Sequence, residues 1–273
     1  MNTGTTGKLQ SVLNAVPNGY LVDAKWLTQN GFAYETLRDY VNRGWLARVA
    51  QGVFQRPDGK PVTENHIDWR ACLLSLQHIM KRELHMGGTT ALAEQGYSHY
   101  LPLGQPPPLW VYGSHIPNWL VKLPLNRKVT TRKPALFADK SLGVTEATTG
   151  NNVMTPNGWQ LFTSTPERAI LEAIDELPDH ESFHNLDMIF EGLTTLRPRL
   201  LTELLNSCRK IKTKRLFFVF ADKHNHAWNK HLDAADFDLG KGDRALIKGG
   251  KIHPRYRIMV PKDFVPGEDA DDA

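Results

Sequence analysis

The sequence predicts an α+β fold, and three observations carry that prediction. Residues 9–56 hold three short stretches of helical apolar spacing, then two β-branched and aromatic runs around a Gln-Gly turn. Residues 164–207 keep a helical period, with prolines where helices should start or break. Between and beyond them lie short apolar runs of strand length. The chain, 273 residues and 41% hydrophobic, suits one large domain or two smaller ones with a real core. The expected divisions are a first module at 1–56, a helical connection at 57–95, a mixed α/β domain at 96–265 and a disordered acidic tail at 266–273.

In "KLQSVLNAV", Leu9, Val12, Leu13 and Val16 share one helix face, and Pro17-Asn18-Gly19 ends it. "VDAKWLTQNG" reads as a second helix, with Asp23 capping its start, Gly31 just past its end, and Trp26 and Leu27 as buried anchors. The third helix is "AYETLRDYVNR", closed by Gly44. Ala33, Leu37, Tyr40 and Val41 cluster on its apolar side; Glu35, Arg38, Asp39 and Asn42 lie opposite, with Tyr34 at the edge. "WLARV", a turn at "AQG" and "VFQR" then make a hairpin. Three helices and a hairpin at this spacing form a winged helix-turn-helix. Its third helix would present Tyr34, Arg38, Asn42 and Arg43 to DNA, entering a major groove where Arg pairs with guanine and Asn with adenine. Arg48 and Arg56 would meet phosphates. Glu35 and Asp39 work against that, and a module for protein contacts is the bland alternative.

Past the break at 58–61, "DWRACLLSLQHIM" returns to helix, with Trp69, Cys72, Leu73, Leu76 and Ile79 on its buried side. "GGTTALAEQGY" reads as a helix entered through Gly87-Gly88 and capped by Thr89 or Thr90. A doubled glycine there could cradle phosphate, though no Walker pattern supports it. The prolines at 106–108 read as a rigid connection into a strand at Leu109–Tyr112. "KLPLNRKVTTRK" reads as an edge strand with its cations outward, either guarding the edge or facing nucleic acid. "STPERAILEAIDEL" is the plainest helix. Ser164 and Glu167 fit a capping box, Pro166 the first turn, and Ala169, Ile170, Ala173, Ile174 and Leu177 the apolar stripe. Glu172, Asp175 and Glu176 read as its solvated face. Two helices broken at Pro198 follow, with Cys208 in apolar phase. Leu216–Phe220 reads as a buried strand, and Ala245–Lys248 and Tyr256–Val260 as two more.

Charge is unevenly spread. The net charge of +4 hides +5 over 120–140, −7 over 141–204, +9 over 205–262 and −5 over the last eleven residues. Such blocks suggest polyanion contact in more than one place, or faces that neutralise one another. Lys210, Lys212, Lys214 and Arg215 lead the most basic block. Alternation along an extended approach would turn two of them outward together as part of a surface; the alternative is intramolecular pairing with Glu172, Asp175 and Glu176. No 18-residue apolar run suggests a membrane span, the start lacks a signal-peptide pattern, and two distant cysteines imply a reducing, cytoplasmic setting. His224, His226 and His231 lack a Cys or acid to complete a zinc set. "DLGKGDR" is too short a glycine signal for nucleotide. No hydrolase, kinase or nuclease signature is present, and no cofactor or metal is expected.

"GYLVDAKWLTQNGFAYETLRDYVNRGWLARVAQGVF", with "GGTTALAEQGY", "STPERAILEAIDEL", "KIKTKRLFFVFAD" and "DLGKGDRALIKGG" in that order, resembles the AbiEi antitoxins of AbiE type IV toxin–antitoxin systems, which act in abortive infection. The resemblance covers most of the chain. It implies a winged helix joined to an α/β antitoxin domain, repression of the protein's own operon through double-stranded promoter DNA, and no enzyme activity. It also implies opposition to a nucleotidyltransferase-like toxin without a stable complex; Lys210, Lys212, Lys214 and Arg215 are the expected antitoxic surface. One departure is the neutral tip Ala50-Gln51-Gly52, where relatives often carry a basic residue for the minor groove. The alternatives are a ligand-sensing winged-helix transcription factor and an enzyme acting on nucleotide or RNA.

Overall fold

The computed structural model describes residues 10, 13–59, 67–97, 106–147 and 155–266; Leu9, Val12 and the tail at 267–273 lie outside them. Two compact units form. Unit 1 comprises residues 1–86, 104–133 and 146–162, and unit 2 comprises 87–103, 134–145 and 163–273. Each has its own hydrophobic core.

Unit 1 opens with the end of the first helix (Leu13–Ala15), strand β1 (Leu21–Asp23), helix α1 (Ala24–Gln29) and helix α2 (Tyr34–Asn42). Strands β2 (Ala47–Ala50) and β3 (Val53–Gln55) complete a three-stranded antiparallel sheet in the order β1-β3-β2. The hairpin, α1 and α2 are as the sequence predicts, and β1 is an addition; of the first predicted helix only Gln10 and Leu13–Ala15 lie among the described helical residues. Asp23 ends that strand and also caps α1, accepting from the Trp26 amide at 2.7 Å. Gly31 and Gly44, at φ +84° and +73°, supply the left-handed residues after α1 and α2. Ala33 is exposed at the cap of α2 instead of on its buried stripe.

Helix α3 (Trp69–Leu74) continues into a π-turn at Ser75–Ile79. The expected stripe of Trp69, Cys72, Leu73, Leu76 and Ile79 is buried. This element is more than a connection. Ser75 Oγ accepts from the Leu21 amide at 2.9 Å, and the Trp26 indole donates to the Ile79 carbonyl at 3.0 Å. Leu21, Leu27, Leu37 and Val53 therefore share one core with Leu73, Leu76, Met86 and Val111. The compact unit runs past residue 56 because the winged helix closes its core on α3 and the strands beyond. The further strands are β4 (Leu84–Met86), β5 (Leu109–Gly113), β6 (Val129–Arg132), β7 (Val144–Ala147) and β8 (Leu161–Ser164), hydrogen-bonded in the order β6-β5-β4-β8-β7. β4 and β5 give Leu84, Met86, Leu109 and Val111 to this core, while β7 and β8 run across the unit boundaries at 145/146 and 162/163. β6 is an edge strand, as its charges suggest.

Unit 2 is mostly helical. Helix α4 (Gly88–Glu94) is capped by the backbone of Gly87, so Thr89 and Thr90 lie inside it rather than at its start. Helices α5 (Pro166–Asp175), α6 (Phe183–Gly192) and α7 (Pro198–Ser207) sit where periodicity and prolines place them. The capping box on α5 does not form. Thr165 is the cap, Ser164 Oγ donates to Glu172 at 2.8 Å, and Glu167 takes a bidentate ion pair from Arg197 at 2.9 Å. Nor is the acidic side of α5 a solvated face: Glu167, Glu172 and Glu176 are buried. Arg168 answers that burial, reaching Glu172 at 2.7 Å with both side chains 1% exposed.

The run expected to be a strand at Leu216–Phe220 is part of helix α8 (Ile211–His224). Leu216 through Ala221 are buried on every side of it. A helix surrounded by core has no polar face, so its sequence loses the period that separates helix from strand. The closing segment holds only the two-residue strands β9 (Lys251–Ile252) and β10 (Met259–Val260), antiparallel to each other. Ala245–Lys248 is irregular, and Tyr256–Val260 is strand only at its end. This segment is held by side chains reaching its carbonyls more than by a ladder.

Candidate nucleic-acid interface

Helix α2 turns Leu37 and Tyr40 into the core and leaves Glu35, Arg38, Asp39, Asn42 and Arg43 exposed. Arg38 and Asn42 stand four residues apart, on one face. Trp45, just past the helix, packs its ring 5.4 Å from that of Tyr40, whose own ring lies 6.0 Å from Phe32. Arg43 lies over the outer side of this stack, its guanidinium carbon 5.2 Å from the Trp45 centroid. The side chain that ends the helix is thus held without any carboxylate. Burial pushes the Tyr40 phenol above its usual pKa, with Arg43 pulling weakly the other way.

On the hairpin Arg48 is exposed, with only a long contact of 3.4 Å to the Ala50 carbonyl. The register shifts between Arg48 and Ala50, a bulge that twists the wing. Gly52, at φ +70°, makes the tip, and its carbonyl accepts from the Ala24 amide at 2.8 Å, tying the wing to α1. Arg56 is placed differently. Its Nη1 donates to the Leu13 and Val16 carbonyls, so the guanidinium caps the first helix. Tyr34 begins α2, and its side chain lies outside the described residues. The sequence reading missed Trp45 as a platform; the spacing Arg43-Gly44-Trp45 was the available signal.

The four cations expected to form an outward surface are largely spent inside unit 2. Lys210 pairs with Asp175 at 2.7 Å, and Lys212 Nζ donates to the carbonyls of Asp175 and Leu177, each at 2.7 Å. Lys214 is buried. Arg215, 2% exposed, donates to the carbonyls of Leu239 (2.6 Å), Gly242 (2.8 Å) and Arg257 (2.8 Å). Burial holds the pKa of both Lys212 and Arg215 below its usual value. Of the acids Glu172, Asp175 and Glu176, only Asp175 comes within 4.0 Å of any of these four among the described residues, and only to Lys210 and Lys212.

The remaining candidates resolve into structure. The Gly88 amide donates to Glu172 at 3.0 Å, so a carboxylate of the chain itself sits where phosphate was considered. His224 bonds Asp187 at 2.8 Å and His226 the Phe190 carbonyl at 2.7 Å. Among the described residues no three His, Cys, Asp or Glu gather as a metal set. Cys72 and Cys208 are free and buried, and burial raises both thiols. No described helix is long and apolar enough to cross a membrane.

Two family models match the chain: "Transcriptional regulator, AbiEi antitoxin N-terminal domain" over residues 5–103, and "Transcriptional regulator, AbiEi antitoxin, Type IV TA system" over residues 108–261. A search of curated proteins finds no match. Among solved structures, the crystal structure of the RV2827C protein from Mycobacterium tuberculosis is similar, with a TM-score of 0.56 and 15% identity. The match covers 93% of this chain and 88% of that one. At that identity the likeness is one of fold.

Proposed function

This chain belongs to the AbiEi antitoxin family of type IV toxin–antitoxin transcriptional regulators, and from that premise we propose that its winged helix represses its own operon by binding promoter DNA. The observation that carries this reading is the exposed row of Arg38, Asn42 and Arg43 on α2, beside Arg48 on the hairpin, none in an ion pair among the described residues. Arg38 and Asn42 read base edges, while Arg43 and Arg48 meet phosphates. Arg56, committed to the first helix, has no part in it. The neutral tip at Gln51 suits a wing that lies along the backbone more than one that enters the minor groove.

The same premise extends to the partner. The chain opposes a nucleotidyltransferase-like toxin encoded beside it and does so without a stable complex. Fluorescence anisotropy on the native promoter at several salt concentrations tests the first half. Arg38→Ala is expected to cost roughly 1–3 kcal/mol and to relax specificity at one base. Arg48→Ala is expected to weaken all sequences alike and lower the salt slope by about one. Unchanged affinity in both variants overturns the reading of this face. Co-expression with the neighbouring gene tests the second half: growth rescue with separate elution of the two proteins supports it, and loss of rescue refutes it.

A further inference from the structure

The basic surplus of unit 2 surfaces at residues 241–251, not at the start of α8. Lys241, Arg244, Lys248 and Lys251 are all exposed there. Their neighbours Arg255 and Arg257 are paired, with Asp222 at 3.0 Å and Asp243 at 2.8 Å. These four form no side-chain ion pair or hydrogen bond among the described residues. Asp243, the only acid between them, is taken by Arg257.

The loop that displays them is built, not slack. Buried Arg215 grips it from beneath through the Leu239, Gly242 and Arg257 carbonyls. Arg244 is stitched to the strand end by two backbone bonds, its amide to Arg257 at 3.0 Å and its carbonyl from Met259 at 2.8 Å. A Cβ on Gly250 would meet the Val260 carbonyl at 2.5 Å, so the backbones there approach as only glycine allows. Leu246 and Ile247 pack onto the core. Holding four like charges on so short a fixed loop is unfavourable in the free protein, and a polyanion would reverse that sign.

We propose that this loop is a second nucleic-acid surface, one that binds the phosphate backbone of a single strand. A protein partner is disfavoured by composition: residues 239–252 contain no Phe, Tyr, Trp or Met, the anchors of protein interfaces, and expose one large apolar side chain, Ile252. Three of the four cations are Lys, point charges suited to phosphate without base readout. The segment offers no helix or long ribbon to enter a major groove about 12 Å wide. A duplex offers its phosphates at a fixed spacing, whereas a flexible single strand can adapt its phosphates to the spacing of four cations on an irregular loop. With no aromatic platform, binding is electrostatic and indifferent to sequence.

The test uses the full chain, a 12-nucleotide RNA, the matching single-stranded DNA, and the promoter duplex. Four phosphate contacts give a single-strand salt slope of about −2.8, so affinity should fall on the order of 50-fold between 50 and 200 mM salt. The variant Lys241→Ala/Arg244→Ala/Lys248→Ala/Lys251→Ala should keep its melting temperature and promoter affinity but lose most single-strand binding and nearly all that slope. RNA and DNA strands binding alike identifies the phosphodiester as the ligand; a preference for RNA adds a 2′-hydroxyl contact. The proposal is overturned if the wild type ignores single strands at 50 mM salt, or if the fourfold variant binds them unchanged. It is overturned equally if promoter affinity falls in parallel, which would mean one shared surface. Loss of promoter binding in Arg38→Ala alone leaves it untouched, so its failure and that of the winged-helix reading are distinguishable.

Discussion

Helix α2 and the start of helix α8 carry the same residue types and meet opposite fates. Beside α2, Arg38 and Arg43 are exposed with no carboxylate partner among the described residues; in α8, Lys212 and Arg215 turn onto carbonyls and Lys214 is buried. The difference lies in what surrounds each helix. α2 packs on one side only, against Phe32 and Trp45, so its polar half stays out. α8 is enclosed from Thr213 through Ala221, where a buried cation such as Arg215 is stabilised by the oxygens it reaches. Basic residues in a sequence therefore mark a surface only when their helix has a free side.

The largest test of that contrast is to remove an internal partner. Glu172 receives Arg168, Ser164 and the Gly88 amide in a setting 1% exposed. Glu172→Ala leaves a buried guanidinium unpaired and should cost about 3–5 kcal/mol in urea denaturation. A loss under 1 kcal/mol would mean that water reaches Arg168, and that this enclosure is weaker than the burial implies. Next, Lys212→Ala should cost about 1–3 kcal/mol by orphaning the Asp175 and Leu177 carbonyls, with promoter affinity unchanged. If the melting temperature holds while toxin rescue fails, Lys212 belongs to a functional surface after all.

These two sites also measure how far the sequence could be read. The wing, α2, α5, α6 and α7 were legible because each has one apolar side, and Pro166 and Pro198 mark their starts. The exposure of Arg38, Asn42 and Arg43 was legible for the same reason; the bonds of Arg56 to the Leu13 and Val16 carbonyls were not. α8 was not: Leu-Phe-Phe-Val-Phe has no polar side to set its period. Arg215 was read as outward because its partners lie 24 to 42 residues away, and no local rule joins them. Glu172 has a local partner in Arg168, four residues away, but its burial was not legible because the Gly88 amide that also reaches it lies 84 residues away. Periodicity locates an element, but long-range pairing decides which charges it exposes.

A smaller effect separates the buried half of an ion pair from its exposed half. Burial alone would raise the pKa of Glu167, but bonds from the Arg197 side chain and amide outweigh it and hold the carboxyl below its ordinary 4.5. A depressed folded pKa gives stability that is present above 4.5 and lost as pH falls through the folded value. Arg197→Ala should cost only about 1 kcal/mol at neutral pH, since the guanidinium is 60% exposed and screened. It should also flatten the acid limb of stability against pH. An acid limb that stays as steep in the variant would assign the acid sensitivity to other carboxylates.

The smallest predicted effect lies on the exposed side of the contrast, at Trp45. Arg43 is restrained there by a ring and not by an acid, its carbon 5.2 Å from the centroid. A cation over an aromatic face at an exposed site is worth about 0.5–1 kcal/mol. That is enough to hold a guanidinium toward a phosphate without neutralising it, as a carboxylate would. Trp45→Leu keeps an apolar body against Tyr40 and removes the π face, so promoter binding should weaken by about that amount at every sequence. Trp45→Phe should restore part of it. The double variant with Arg43→Ala separates positioning from packing: if Trp45 acts through Arg43, losing both costs no more than losing Arg43 alone. Additive losses would make Trp45 a packing residue, and α2 would then end in an arginine that nothing orients.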